Sequence, residues 1–307
     1  MKSETDMRPP PFALPHTAKL MIAYFAVYVI WGSTYYAISV AVKELPPLYV
    51  AGLRYTAAGF ALMLYNFLRG EKLPVGREWL SPIVVAIFVL VLTNGATTIA
   101  CLLIPSGVVA LLQSSIPSMT VLWDRFVFHK EVYRMKHYLG ILVGVVGVVV
   151  LVLARNRGGL TFSVQPAGVG IVLFGAACWS FGCLLGKDIP APASHAMNSG
   201  LSMAIAGPLF LLLGSIVDWR AHYTFAALSS RGVLAIAYLS VFGSIIAFCS
   251  HCWLMRVEPP SRVATSTFVN PAIAMFLGSA FGGEVLTKQM LLGAAAILFS
   301  VSLIWKK

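Results

Sequence analysis

Polar side chains that can bind or move a ligand occur inside stretches that are otherwise apolar. Asn94, Thr97, Gln113, Ser114, His251, Thr267 and Asn270 are the clearest cases. Polar groups in hydrocarbon are costly, so they turn towards a bundle interior or a water-filled cavity. Amide and hydroxyl groups in such a place bind an amino or a carboxylate group. Trp31, Tyr35, Trp179, Tyr238 and Trp253 lie in similar stretches. Their faces stack on planar rings or hold cations. The competing account is structural: interhelical hydrogen bonds for the polar groups and an interfacial belt for Trp and Tyr. Arg54 follows Pro47 by seven residues, which by helical rise puts it about 10 Å into its stretch. There it either snorkels to an interface or attracts an anionic substrate group. His251 is a candidate proton relay or an ordinary hydrogen-bonding residue.

Two of the amides sit beside prolines. Gln113 precedes Pro117 by one helical turn, and Asn270 is next to Pro271. Proline removes a helix hydrogen bond and frees a carbonyl that must find another partner. Broken turns of this kind line transporter sites; a simple kink satisfied within the bundle is the alternative. Asp124 and Arg125 read as interfacial charges, with an internal pair or gate as the other possibility. No carboxylate falls convincingly at mid-membrane, so coupling to protons has weak support in the sequence, and facilitated transport or exchange with a counter-substrate stays open. The cysteines (Cys101, Cys178, Cys183, Cys249, Cys252) lack metal-ligand spacing and read as small apolar packers. No metal or cofactor is expected.

The elements that hold these residues are membrane spans. Of the 307 residues 59% are hydrophobic and 11% charged, against about 25% charged in a soluble domain. Most of the surface must therefore face lipid. A net charge of +11 would suggest nucleic acid in a soluble protein, but the basic residues sit in short loops between apolar runs, so no nucleic-acid partner is expected. A span takes about 20 apolar residues. Spans are expected near 19–41, 47–68, 80–102, 106–128, 137–154, 167–187, 194–217, 232–255, 262–283 and 287–305. The third and fourth are separated only by Pro105, Ser106 and Gly107. One uninterrupted helix there would be far too long for a hydrocarbon core of about 30 Å. The polar, proline-rich residues 1–18 are too unlike a signal peptide to be one and read as a disordered cytoplasmic tail. Lys and Arg concentrate on one side: Lys2, Arg8, Lys19, Arg69, Lys72, Arg77, Lys130, Arg134, Lys136, Lys187, Arg256, Arg262, Lys306 and Lys307 outweigh Lys43, Arg155, Arg157, Arg220, Arg231 and Lys288. By the positive-inside rule both termini are cytoplasmic, in a multi-pass protein of the plasma (inner) membrane.

The halves repeat. Pro105, Ala110 and Pro117 recur as Pro259, Ala264 and Pro271, and Glu131 and Leu139-Gly140 as Glu284 and Leu292-Gly293, at a nearly constant offset. Trp31 and Trp179 take similar places in the first span of each half. With five spans per half, the second copy enters the membrane from the opposite side. The fold class is therefore all-α and integral to the membrane: ten helices in two inverted five-helix repeats, 19–154 and 167–305, joined by a loop at 155–166. Inverted repeats typify secondary transporters, whose sites lie near the midplane at the repeat interface. Glu131 and Glu284, each ahead of the last span of its half, read as structural partners of the helix dipole. Gly140, Gly144 and Gly147, Gly182 with Gly186, and Gly278 with Gly282 read as close-packing surfaces.

The layout resembles the drug/metabolite transporter superfamily in its EamA-type branch. The likeness is carried by Trp31-Gly32-Ser33, Arg54, Ala110 to Pro117, Glu131, Gly140, Gly144, Gly147, Trp179, Trp253, Ala264 to Pro271, Glu284 and Gly293. The resemblance implies a ten-helix exporter of amino acids, metabolites or toxic organic molecules. It also implies a central cavity among spans one, three, four, six, eight and nine, which hold the polar and aromatic candidates named above. The aromatics tilt the substrate towards aromatic amino acids and planar xenobiotics, organic cations included. A nucleotide-sugar or phosphate-ester carrier would want clustered Lys or Arg, and little beyond Arg54 is available. An intramembrane enzyme lacks HExxH, GxSxG or a pair of mid-membrane aspartates. A receptor or purely structural protein would leave the inverted repeat unexplained.

Overall fold

The computed structural model describes residues 15–129, 134–153, 164–217, 228–258, 263 and 265–305. Residues 1–14 of the expected tail, Glu131, Ala264, residues 154–163 around the inter-repeat loop and the C-terminal Lys306-Lys307 lie outside the described residues. The fold is ten helices: α1 (His16–Ala41), α2 (Pro47–Leu68), α3 (Gly76–Ala100), α4 (Ser106–Phe128), α5 (Met135–Leu153), α6 (Pro166–Gly186), α7 (His195–Val217), α8 (Ser230–Met255), α9 (Ser266–Gly282) and α10 (Lys288–Trp305). Six of them, α1, α3, α4, α6, α7 and α8, are long and apolar enough by length and composition to cross a membrane. Their bounds fall within a few residues of the expected spans. Prolines open several of them (Pro47 and Pro166 in the first turn), where a missing N–H costs nothing. Large apolar side chains such as Phe60, Leu64, Phe174, Leu212, Phe276 and Phe299 point outwards, as a lipid-facing surface requires.

The packing is pseudo-twofold. Helix α2 lies along α7, α5 along α10 and α4 against α9, while α3 meets α6 as α8 meets α1. Each pairing maps onto itself or its counterpart when the halves are exchanged, as the two-repeat fold demands. Backbone detail obeys the same exchange. Wide, π-type turns occupy Val85–Asn94 in α3 and Leu239–Ala247 in α8. Left-handed caps end α4 at His129 (φ 54°) and α9 at Gly283 (φ 69°).

Small residues make the closest seams. Added to Gly59, a Cβ would collide with the backbone of Met203 and Ala204; added to Gly207, it would collide with the backbone of Thr56. Thus α2 and α7 cross almost backbone to backbone, a seam the sequence reading did not single out. Gly144 packs on Ser300 and Gly147 on Ala296 and Ile297, so the α5 glycines do face α10. The expected pair Gly182 and Gly186 is corrected: Gly182 packs on Phe88, whereas Gly186 meets nothing within 4 Å.

Glu284 is structural, but on a different helix from the one expected. Rather than serving α10, its buried carboxylate accepts from the Ser106 N–H (2.8 Å), the Ser106 hydroxyl (2.6 Å) and the Gly107 N–H (3.2 Å). The second half thus caps the first turn of α4 in the first half. Gly283 in the left-handed region folds the chain back to make this possible, and Gly278 leaves room for the carboxylate. Asp124 is buried in the bundle, at 2% exposure, while Arg125 is exposed.

Three outcomes follow for purified protein in detergent. Gly207→Leu should lower thermal stability by about 1–3 kcal/mol or more, from overpacking against backbone that cannot move aside. Gly170→Ala, exposed and without neighbours within 4 Å, should leave it unchanged or raise it by up to about 1 kcal/mol. Glu284→Ala orphans the donors at the start of α4 and should cost about 1–3 kcal/mol; unchanged thermal unfolding would remove the cap from the account.

Candidate functional site

The repeats enclose a cavity of about 590 Å³ bordered by α1, α3, α4, α6, α8 and α9, with Arg54 and Tyr55 entering from α2. Most of the residues singled out in the sequence line it: Trp31 and Tyr35 from α1, Asn94 and Thr97 from α3, Gln113 and Ser114 from α4, Trp179 from α6, His251 from α8, and Thr267 and Asn270 from α9, besides Arg54. Tyr238 and Trp253 do not. Tyr238 shares a 2.6 Å hydrogen bond with Ser33 and lines a separate apolar groove on the outer surface of α1 and α8. Trp253 packs with Val27, Leu254 and Val263 and meets the His16 ring. Helical phase explains Trp253: it stands about 200° round α8 from His251, so both cannot face one cavity.

Broken turns supply the polar frame. Pro271 leaves the Thr267 carbonyl without its helical donor, and the Ser114 hydroxyl takes it from α4 at 2.8 Å. Ser114 is available because α4 itself is interrupted at Ser114 and Ser115, ahead of Pro117. Asn270 serves α1: oriented to suit its surroundings, its amide nitrogen donates to the carbonyls of Tyr28 (2.9 Å) and Val27 (3.1 Å), in the π-type turn Ala26–Ile30. The Trp31 indole donates to the Gly243 carbonyl (3.2 Å) in the wide turn of α8. Thr93 reaches the Gly175 carbonyl on α6 at 2.8 Å. These bonds tie together six helices, α1, α3, α4, α6, α8 and α9, through backbone carbonyls.

Other polar atoms are left over. Gln113 donates through Nε2 to the Thr97 hydroxyl at 2.7 Å, yet its Oε1 is buried with no partner. His251 Nδ1 is likewise buried and unpartnered. Its ring lies 4.9 Å from that of Trp31 and 6.4 Å from that of Trp179, with Trp31 and Trp179 edge to face at 6.2 Å. Phe248, not anticipated from the sequence, closes this aromatic wall 6.5 Å from Trp31. Arg54 does not snorkel. It is 6% exposed, donates through Nε to the Ser244 hydroxyl at 2.6 Å and stands 4.8 Å over the Tyr55 ring. Among the described residues no carboxylate pairs with it. Ser244, which fixes the guanidinium, was also missed; the only signal for it is a hydroxyl in the wide turn of α8.

The cavity reaches the surface at the end of the bundle where α1 begins, past exposed Cys183, Lys187 and Met255. At the opposite end Leu45, Ile104, Ser106 and Glu284 are buried, and none of them borders the cavity. Among the described residues that line it there is no Asp or Glu; Arg54, Lys187, His137 and His251 are its ionisable groups besides Tyr and Cys. Such a chamber admits a molecule from one side only, desolvates it and holds it by directed polar groups and ring faces.

The sequence model of the EamA-like transporter family matches residues 18–153 and again 166–306. The chain is 35% identical over 283 residues to the protein of Escherichia coli K12 named "uncharacterized inner membrane transporter YedA", covering 92% of this chain and 89% of that one. It is 25% identical to a protein of Salmonella typhimurium LT2 named "probable amino-acid metabolite efflux pump", covering 89% and 90% of the two chains. A protein known by crystal structure shares the fold with a TM-score of 0.61 at 20% identity, over 94% of this chain and 96% of that one. Both halves of the chain thus carry the family's repeat around one central cavity, and the protein belongs to the EamA-like transporter family as a multi-pass membrane transporter of small molecules.

Proposed function

We propose that this transporter exports amino acids or related metabolites across the plasma (inner) membrane by alternating access through the central cavity. The observation that carries the reading is the set of unsatisfied groups in one chamber: the Gln113 Oε1, the His251 Nδ1 and an Arg54 guanidinium without a carboxylate. Buried groups of this kind are costly unless a ligand completes them. Their neighbours Trp31, Trp179 and Phe248 suit an apolar or aromatic side chain. A volume of about 590 Å³ falls within the range of about 300–1,000 Å³ usual for small-molecule sites. The printed names of the relatives, one an inner membrane transporter and one a probable amino-acid metabolite efflux pump, support the location and the substrate class.

Gln113, Asn94, Thr97, Arg54, His251, Trp31, Trp179 and Tyr35 are the residues proposed to meet substrate; Ser114, Thr267 and Asn270 position them. The repeats 19–154 and 167–305 act as the two gates. With both termini in the cytoplasm, the mouth beside Lys187 faces inwards, and the Glu284 cap on α4 belongs to the closed outer side. Clustered cations for a phosphate ester are lacking around Arg54, so a nucleotide-sugar carrier is not favoured.

The reading is tested by efflux of radiolabelled amino acids and their metabolites from proteoliposomes, with and without a pH gradient. Saturable flux of a few species is expected, and no flux of any would contradict it. Gln113→Ala loses one hydrogen bond worth about 1 kcal/mol to stability, so the protein should fold while flux falls by about tenfold or more; unchanged flux would take Gln113 out of the site. In intact cells an impermeant thiol reagent should label Lys43→Cys and spare Lys72→Cys, and the reverse pattern would invert the topology.

A further inference from the structure

Resting on that reading, we infer that the preferred substrate is a net anion: an organic carboxylate with an apolar or aromatic body whose amino group is absent or masked by acylation. The cavity's charge points there. Arg54 brings a guanidinium cation into the chamber, and it is held within the bundle without an acidic partner among the described residues. Lys187 stands at the mouth, and no carboxylate borders the chamber among the described residues.

A free α-ammonium sits two bonds from its own carboxylate. If the carboxylate docks on Arg54, the ammonium is brought close to the same guanidinium with no acidic side chain to receive it. Like charges forced together with a polar group left unmatched are what a selective site uses to reject a ligand. Acylation turns that ammonium into a neutral amide N–H, a fitting donor for the unpartnered Gln113 Oε1. A 2-oxo or 2-hydroxy acid avoids the conflict by having no nitrogen there at all.

The apolar end has its own place. Along α8, Ser244 holds Arg54, while Phe248 and His251 come about 6 and 10 Å further on by helical rise. The carboxylate and the ring of a phenylalanine-sized acid therefore bridge Arg54 and the aromatic wall, with the ring towards the mouth. The same charge argument turns the site away from the planar organic cations that its aromatics alone would have welcomed.

The test compares three compounds sharing one benzyl group in proteoliposomes, with protein-free vesicles as control: N-acetylphenylalanine, phenylalanine and the permanently cationic phenylethyl-trimethylammonium. The expected result is efflux of the acetylated anion about tenfold or more faster than the zwitterion, a gap of about 1.4 kcal/mol, with the cation at the control level. Gln113→Glu, which adds a carboxylate to the chamber, should narrow the gap between anion and zwitterion, and Arg54→Gln should abolish it. Faster flux of the zwitterion or carriage of the cation would overturn the inference and leave the transporter reading standing. If none of the three moves while other amino-acid metabolites do, the inference is overturned; if nothing moves at all, the transporter reading falls with it.

Discussion

Hydrocarbon offers no hydrogen bonds, so each polar group that the chain carries into the membrane must be answered from within the bundle. The rest of the architecture depends on that constraint. Prolines and wide turns interrupt α1, α3, α4, α8 and α9, and side-chain donors take up carbonyls at these breaks, some within the same helix, as Asn94 does for Val89 and Ser244 for Leu239, and some across helices. Across helices, Ser114 answers the Thr267 carbonyl, Asn270 those of Val27 and Tyr28 and Trp31 that of Gly243, while Thr93, itself in a wide turn, bonds the Gly175 carbonyl of the regular helix α6. These crossings fix the cavity's walls. Of the buried polar atoms left unanswered among the described residues, those of Gln113 and His251 lie inside it, together with an Arg54 guanidinium that no described carboxylate meets.

Pseudo-symmetry ties this frame to movement. Equivalent wide turns in α3 and α8, and equivalent left-handed caps after α4 and α9, give both halves the same deformable points. The structure is nevertheless asymmetric about its midplane: one end is sealed where Glu284 caps α4, and the other is open past Lys187. In an inverted repeat the second conformation is obtained by letting the halves exchange their arrangements. The backbone-to-backbone seam of α2 and α7 is too tight to slide without steric cost, so the proposed alternating access assigns movement to the cavity-lining helices.

Much of this was legible in the sequence. The helix bounds followed from hydropathy because a membrane span has few ways to end, and even the short break before α4, which falls at residues 101–105, was forced by bilayer thickness. The cavity residues were legible wherever a polar side chain in an apolar run had no cheaper explanation, as with Gln113, Arg54 and Asn270. What escaped was phase and partnership. His251 and Trp253 share a polar-looking stretch, yet lie on opposite sides of α8, and the wide turn at Leu239–Ala247 shifts the phase of Tyr238, which precedes it, against both. Phe248 and Ser244 carry no signal of their own. Glu284 could be recognised as structural from its place in the repeat, but its target on α4 is a tertiary contact between halves that local sequence does not encode.

The central claim is that Arg54, left without an acid, is the anchor for a substrate carboxylate. A structure of the purified protein with N-acetylphenylalanine tests it most directly. The account predicts the carboxylate within about 3 Å of the Arg54 guanidinium and the ring between Trp31, Trp179 and Phe248. A ligand seated elsewhere, or one in the cavity with its carboxylate turned away from Arg54, would contradict it.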